Sequence, residues 1–290
     1  MARALRLDFS GATWHLFSRG NNHQPIFLCD ADRLHFLELL GDAVERYKWF
    51  VYEYELMTNH YHLVLDTPEP TLSRGMQWLN GKYAQWFNHT HRRDGHLFQG
   101  RFHGTLVEKE AELLNACRYV ALNAVDAGIV ERPEEYRWSS YRWLAGFEKA
   151  PEWFQPGPIL ESFGPDLATQ QREFRKFTEA GVGITRAPWL DAIGQIFIGS
   201  QQWVESMRSL IEAKPRSTDH PAMQRYAARP RPAKIVEVVA EVFETTPEEI
   251  RSSHGTVERR VAAWLGCYEG QARLGGIGTV LRLRSTSRVS

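Results

Sequence analysis

The stretch Met57-Thr-Asn-His60-Tyr61-His62-Leu63-Val-Leu65 decides how the chain is read. On an extended strand, positions i and i+2 project from the same face. His60 and His62 therefore offer two imidazoles to one point, while Tyr61, Leu63 and Leu65 face the other side. Imidazole binds several divalent metals, so the pair is a candidate metal site. A chain with eleven histidines also produces such a spacing by chance. Residues 12–19 and 50–57, rich in aromatic and β-branched side chains, are expected as strands. Residues 104–108 form a further short candidate.

Helical periodicity fills the gaps. After a possible N-cap at Asp30, Leu34, Leu37, Leu40, Val44 and Tyr47 recur at spacings of three and four. A second helix, over 71–88, carries Leu72, Met76, Leu79, Tyr83 and Phe87 on one stripe. A third is expected over 111–127, closed by Gly128. The order β-α-β-β-α-β-α implies an α+β fold, an antiparallel sheet backed by helices. The third helix has a packing stripe of Leu113, Cys117, Val120 and Ala124. Its other stripe is Glu112, Asn115, Tyr119 and Asn123, which places Tyr119 and Asn123 one turn apart. A tyrosine nucleophile needs help, because a phenol with a pKa of about 10 is protonated at neutral pH. A nearby Lewis acid supplies it, and an amide one turn along offers a further oxygen ligand. Packing is the commoner fate of a helical tyrosine. Tyr83, the rival candidate, shares the packing stripe of Leu79 and Phe87.

At 290 residues there is room for about two domains. Lys+Arg (35) balance Asp+Glu (35), which argues against a histone-like polyanion binder and leaves recognition to local sites. No run approaches the roughly 18 apolar residues of a membrane span, and none near the start suits a signal peptide. Cys29, Cys117 and Cys267 show no CxxC spacing, so a reducing, cytoplasmic setting is expected. Pro151, Pro156-Gly157-Pro158 and Gly164-Pro165 mark one boundary, and Ala227-Ala-Arg-Pro-Arg-Pro232 another. The expected organisation is a domain over 1–150, a helical connector over 151–232 and a small helical region over 233–290. From residue 225 onward there are eleven Lys/Arg against seven Asp/Glu, and Arg273, Arg282, Arg284 and Arg288 follow the last acid. A basic end suits phosphate contact or simple solvation.

Here the residues resemble a family. His60-Tyr-His62, with a bulky central residue, is similar to the HUH pattern of single-tyrosine DNA transferases. The first block resembles the REP-associated tyrosine transposases, within the wider group of single-tyrosine insertion-sequence transposases. The resemblance rests on Trp14-His-Leu-Phe-Ser-Arg-Gly20-Asn-Asn, the Met57–His62 stretch, Lys82-Tyr-Ala-Gln-Trp-Phe-Asn88 and Gly95-His-Leu-Phe-Gln-Gly-Arg101-Phe. It continues through Arg118-Tyr119-Val-Ala-Leu-Asn123-Ala-Val-Asp-Ala-Gly128 and Tyr136-Arg-Trp-Ser-Ser140, about 140 residues in all. It implies an HUH fold, metal ligation by His60 and His62, Tyr119 as nucleophile and Asn123 as third-ligand candidate. The implied reaction is Mg²⁺- or Mn²⁺-dependent transesterification of single-stranded, hairpin-forming DNA through a 5′-phosphotyrosine. The chain departs from the family where Thr58 and Ala124 replace prolines and Asp126 replaces a basic residue. None of these removes a reacting group.

Arg19 and Arg101 are candidate phosphate contacts, because guanidinium binds phosphate bidentately. His15, His23 and His96 either line the site or pack. Trp86, Phe98 and Phe102 suit base stacking, though core packing is the stronger expectation. The last 55 or so residues resemble the C-terminal helix-turn-helix of the replication initiator DnaA or a Trp-repressor-like relative. A recognition helix would begin at Ser285, with Arg282, Arg284 and Arg288 on duplex DNA. Two alternatives stand beside the transposase. One is a non-catalytic hairpin-DNA regulator; the other is a metallohydrolase, disfavoured because no carboxylate base is evident near the histidines in the sequence.

Overall fold

The computed structural model describes residues 9–183, 197–212, 232–253, 255–268 and 279–282. The chain forms two compact units, Met1–Met207 and Arg208–Ser290. In the first, β1 (Ala12–Arg19), α1 (Asp30–Tyr47), β2 (Phe50–Leu56), β3 (His60–Thr67), α2 (Leu72–Thr90), β4 (His103–Val107) and α3 (Lys109–Ala121) follow in order. The sheet runs β2-β3-β1-β4-β5, with β5 at Phe197–Ile198. Strands β1 to β4 are antiparallel, as expected. Strand β5 pairs parallel to β4, so the sheet is mixed. A two-residue strand has no alternation to read, which is why a sheet edge emerges from the stretch expected as helical connector.

Strand alternation gives the sheet two unlike faces. Trp14 and Leu16 of β1 and Tyr61, Leu63 and Leu65 of β3 are at most 1% exposed and form the apolar face. Phe36 of α1 stacks on Tyr61 with centroids 4.7 Å apart, and Asn80 of α2 accepts the Tyr61 hydroxyl proton at 2.6 Å. These two helices cover that side. Along α2 all five expected stripe residues, Leu72 to Phe87, are fully buried. Along α1 the buried face is Phe36, Leu39, Leu40, Ala43 and Tyr47, and Leu34 is 48% exposed. That helix is therefore rotated from the expected stripe, because Phe36 and Leu39 fill the sheet-side volume better than Leu34 and Leu37.

Packing between α2 and the end of α1 leaves no spare volume. A Cβ built on Gly75 would fall within the Trp49 ring, which is itself buried. Gly75→Ala is expected to cost about 3 kcal/mol, the upper range of overpacking. Thermal unfolding should show a drop of roughly 6–12 °C at about 2–4 °C per kcal/mol. An unchanged midpoint would mean that Trp49 can move aside freely.

The opposite face carries His15, Phe17, His60, His62, Glu53 and Glu55. Its β2 edge is covered by residues 138–140: the Leu56 amide donates to Trp138 O at 2.9 Å and the Ser140 amide to Tyr54 O at 3.1 Å. The Tyr136 hydroxyl adds a bond to Leu56 O at 2.8 Å. This clamp explains why Tyr136-Arg-Trp-Ser-Ser140 stood out in the sequence. Covering the edge removes unpaired strand groups from solvent and buries both carboxyls of β2 completely. The Ser140 hydroxyl hydrogen-bonds Glu53.

Burial raises the Glu53 pKa from 4.5 to about 8. Below pH 4.5 the carboxyl is protonated in both folded and unfolded chains, and its stability contribution is intact. As pH rises from 4.5 toward 8, only the unfolded chain ionises, and stability falls. The full loss is on the order of 5 kcal/mol at about 1.4 kcal/mol per pH unit. Glu53→Gln is expected to match the wild type near pH 4 and exceed it at pH 8 in denaturant unfolding. Parallel stability curves would contradict this.

After α3 come α4 (Asn123–Asp126), α5 (Tyr141–Leu144), α6 (Gly157–Leu160), α7 (Leu167–Glu179) and α8 (Gln201–Glu212). The second described unit packs α9 (Pro232–Val242), α10 (Pro247–Ser252) and α11 (Val257–Tyr268) around Ile235, Val236, Val239, Ala240, Ile250, Ala262 and Leu281. Thr246 caps α10 through a reciprocal box with Glu249, and Pro247 is its first residue. Helix α11 packs Val261, Ala262 and Leu265 against this cluster. Val257 and Trp264 are 51% and 59% exposed, and Ala262 and Arg259 face inward. The Arg259 guanidinium donates to Ile250 O at 3.0 Å and to Leu281 O at 2.6 Å, tying the turn before α11 to residue 281. Among the described residues no helix is long and apolar enough to cross a membrane.

Candidate active site

Strand β3 presents His60 and His62 from one face, their ring centroids 5.1 Å apart and their planes nearly perpendicular. On β1, Phe17 lies opposite His62 in register and Arg19 opposite His60. The Phe17 ring packs against both imidazoles, at 5.0 Å from His62 and 5.3 Å from His60. Burial, reinforced by the Arg19 charge, lowers the His60 pKa to about 4, and burial drives His62 well below its usual 6.5. Both rings are therefore neutral at physiological pH and carry a nitrogen lone pair each, the form a metal requires.

Helix α3 lies over this face and brings Tyr119 to it. The Tyr119 ring meets His62 edge-on at 6.0 Å and His15 at 6.4 Å. It is 8% exposed, and burial pushes its phenol above the ordinary value of 10. The expected continuous third helix ends at Ala121, and a separate turn, α4 (Asn123–Asp126), begins after Leu122, whose φ/ψ of −100°/2° leaves helical geometry. A hydrogen bond crosses the break: Asn123 Nδ2 donates to the Tyr119 hydroxyl at 2.8 Å. The Asn123 side chain also stands near His60, whose pKa it acts to raise against burial.

Three loops close around the His60 end. The Gly20 amide donates to Asn59 O at 2.8 Å, Asn21 to Leu97 O at 2.8 Å and Gln99 to Arg19 O at 2.9 Å. A side chain on Gly20 would collide with the Gln24 carbonyl oxygen, so glycine is needed for this close approach. The motif stretches at 14–22, 57–62 and 95–102 are thereby gathered at one rim. Arg19 stacks on Phe17 at 5.0 Å and approaches His23 Nδ1 at 3.4 Å. Arg101, His23 and His96 are exposed. Phe98 and Phe102 are buried, and Trp86 stacks on His35 at 4.2 Å. The rival Tyr83 is fully buried and donates to Ile26 O at 2.6 Å. Arg282, in the second unit, pairs with Glu248 at 2.5 Å. Arg284 and Arg288, and the expected recognition helix from Ser285, lie outside the described residues.

Sequence reasoning missed Glu55, which pairs with His62 in the β2–β3 register. Its alternation with Glu53 on an otherwise apolar strand was the available signal. Burial and the neighbouring Glu53 keep its carboxyl protonated. A carboxyl does stand beside the histidines, then, but not as a base. Among the described residues no group of three or more His, Cys, Asp or Glu is placed to hold a metal. The donor set on offer is two neutral imidazoles with the Asn123 amide, a mixed nitrogen and oxygen set that fits a divalent ion whose remaining positions are filled by water or phosphate.

Residues 8–123 match the family model described as "Transposase IS200 like". A solved structure described as a REP-associated tyrosine transposase bound to a REP hairpin is similar with a TM-score of 0.45 and 16% identity, over 52% of this chain and 89% of that one. No curated protein matches the chain.

Proposed function

We propose that the chain is a single-stranded DNA transesterase acting on hairpin-forming repeats, with Tyr119 as its nucleophile, a reading supported by the match of residues 8–123 to the IS200-like transposase model. The observation that carries this reading is the cluster on one sheet face: Asn123 holds the Tyr119 hydroxyl at 2.8 Å, and the Tyr119 ring meets His62, two strand positions from His60, at 6.0 Å. The Tyr119 oxygen forms a bond to phosphorus as the P–O3′ bond breaks, and the phenolic proton ends on the 3′ oxygen. The products are a 5′-phosphotyrosine and a free 3′-OH, with no water consumed, so the step reverses when a 3′-OH re-attacks. His60, His62 and Asn123 would hold a Mg²⁺ or Mn²⁺ ion, which when bound supplies polarisation of the scissile phosphate. Asn123 fixes the phenol in place, and Phe17 fixes the planes of both imidazoles. Arg19, at the rim, and Arg101 would engage flanking phosphates.

Incubating the full chain with an end-labelled hairpin oligonucleotide and Mn²⁺ tests this on a denaturing gel. A protein-linked label is expected. Tight hairpin binding without a covalent species at any Mn²⁺ concentration would instead make the chain a non-catalytic regulator, and multiple turnover without an adduct would make it a hydrolase.

The C-terminal arginines belong to the same proposal as DNA contacts. Replacing Arg282, Arg284 and Arg288 together by Gln is expected to lower the slope of log K against log salt by about 2, at roughly 0.7–0.9 per phosphate contact. An unchanged slope would return them to solvent.

A further inference from the structure

An imidazole presents a lone pair on one nitrogen only if its proton sits on the other, and the group bonded to that other nitrogen decides which. Two side chains occupy these deciding positions. Asn59 Oδ1 lies 2.7 Å from His60 Nδ1. The orientation of the Asn59 amide is set independently, because its Nδ2 donates to the His23 carbonyl at 3.1 Å. The oxygen must therefore face the ring, and oxygen only accepts. His60 Nδ1 then carries the proton, and Nε2 is left bare. On the other ring, His62 Nδ1 lies 3.0 Å from His15 Nε2, with the two planes 16° apart at 5.2 Å.

We propose that Asn59 and His15 are positioning residues: Asn59 holds His60 in the Nδ1–H tautomer, and His15, accepting through Nε2, does the same for His62, so that both Nε2 lone pairs turn toward one ion. This rests on the metal-dependent reading above and assigns to two residues outside the reacting set the task of preparing it. Asn59 does so from the loop rim and His15 from the buried β1 strand, so the pair of ligands is oriented from both ends.

The experiment has two readouts on the full chain without DNA. Long-range ¹H–¹⁵N correlation of the metal-free protein reports each ring's tautomer, and electron paramagnetic resonance of free Mn²⁺ reports affinity. The expected wild-type result is Nδ1–H on both rings. Asn59→Ala and His15→Phe are expected to move His60 and His62 respectively toward Nε2–H and to weaken Mn²⁺ binding roughly 10–100-fold, the usual effect of losing an outer partner. Asn59→Asp, which keeps an acceptor, should retain both properties. Asn59 lies at the partly exposed rim, so its variants remain informative if His15→Phe proves unstable. Wild-type binding that disappears in His60→Ala but is unaltered in Asn59→Ala and His15→Phe would overturn the inference alone, as would Nε2–H tautomers in the wild type. Absence of any His60-dependent Mn²⁺ binding in the wild type would overturn the metal reading beneath it.

Discussion

Tyr119→Phe should eliminate the covalent DNA adduct completely while leaving hairpin affinity within about threefold of the wild type. The substitution deletes one oxygen. That oxygen is the nucleophile, and no other group on the ring can bond to phosphorus. The phenyl ring still fills the space edge-on to His62 and His15. What remains is the lost hydrogen bond from Asn123, worth about 1 kcal/mol and thus a small shift in unfolding midpoint. A gel-shift assay and a denaturing gel on the same samples separate binding from chemistry. Residual adduct at a substantial fraction of the wild-type level would transfer the chemistry to another side chain.

The histidine pair gives the second large effect, with a difference between its members. His60→Ala is expected to abolish the Mn²⁺-dependent adduct with little change in stability, since His60 sits at the partly exposed rim. His62→Ala is expected to abolish it as well, and in addition to destabilise the fold by about 2–3 kcal/mol. His62 is 2% exposed, packs between Phe17 and His15, and its removal takes away the 3.0 Å contact with buried His15 Nε2. Excess Mn²⁺ should rescue neither. Adduct formation and calorimetry on the two variants check both halves, and equal stability losses would show that the buried histidine contact is not what holds this face.

Much of this was legible from local pattern. The three strands around the histidines and the α2 stripe follow from alternation and 3.6-residue periodicity, which act over a few residues and do not depend on partners. What escaped depended on partners. The α1 stripe was misplaced because several apolar residues compete along that helix, and only the Trp49 and Tyr61 side of the core selects Phe36 and Leu39. In α3, the break at Leu122 carries no proline or glycine signal. It reflects how the Tyr119–Asn123 hydrogen bond and the β2 face position the following turn. At the site, His60, His62, Tyr119 and Asn123 are adjacent in space as their residue types demanded, whereas the roles of Asn59 and Glu55 become visible only through strand register and side-chain orientation.

The central claim is that one phenol becomes covalently joined to DNA. Tandem mass spectrometry of a protease digest, after reaction with a hairpin oligonucleotide in Mn²⁺ and nuclease trimming, tests it directly. The account predicts a nucleotide remnant attached through its 5′-phosphate to the peptide containing Tyr119, together with a released strand ending in 3′-OH. A remnant on Tyr83 or any other residue, or cleaved strands with no modified peptide, would contradict it.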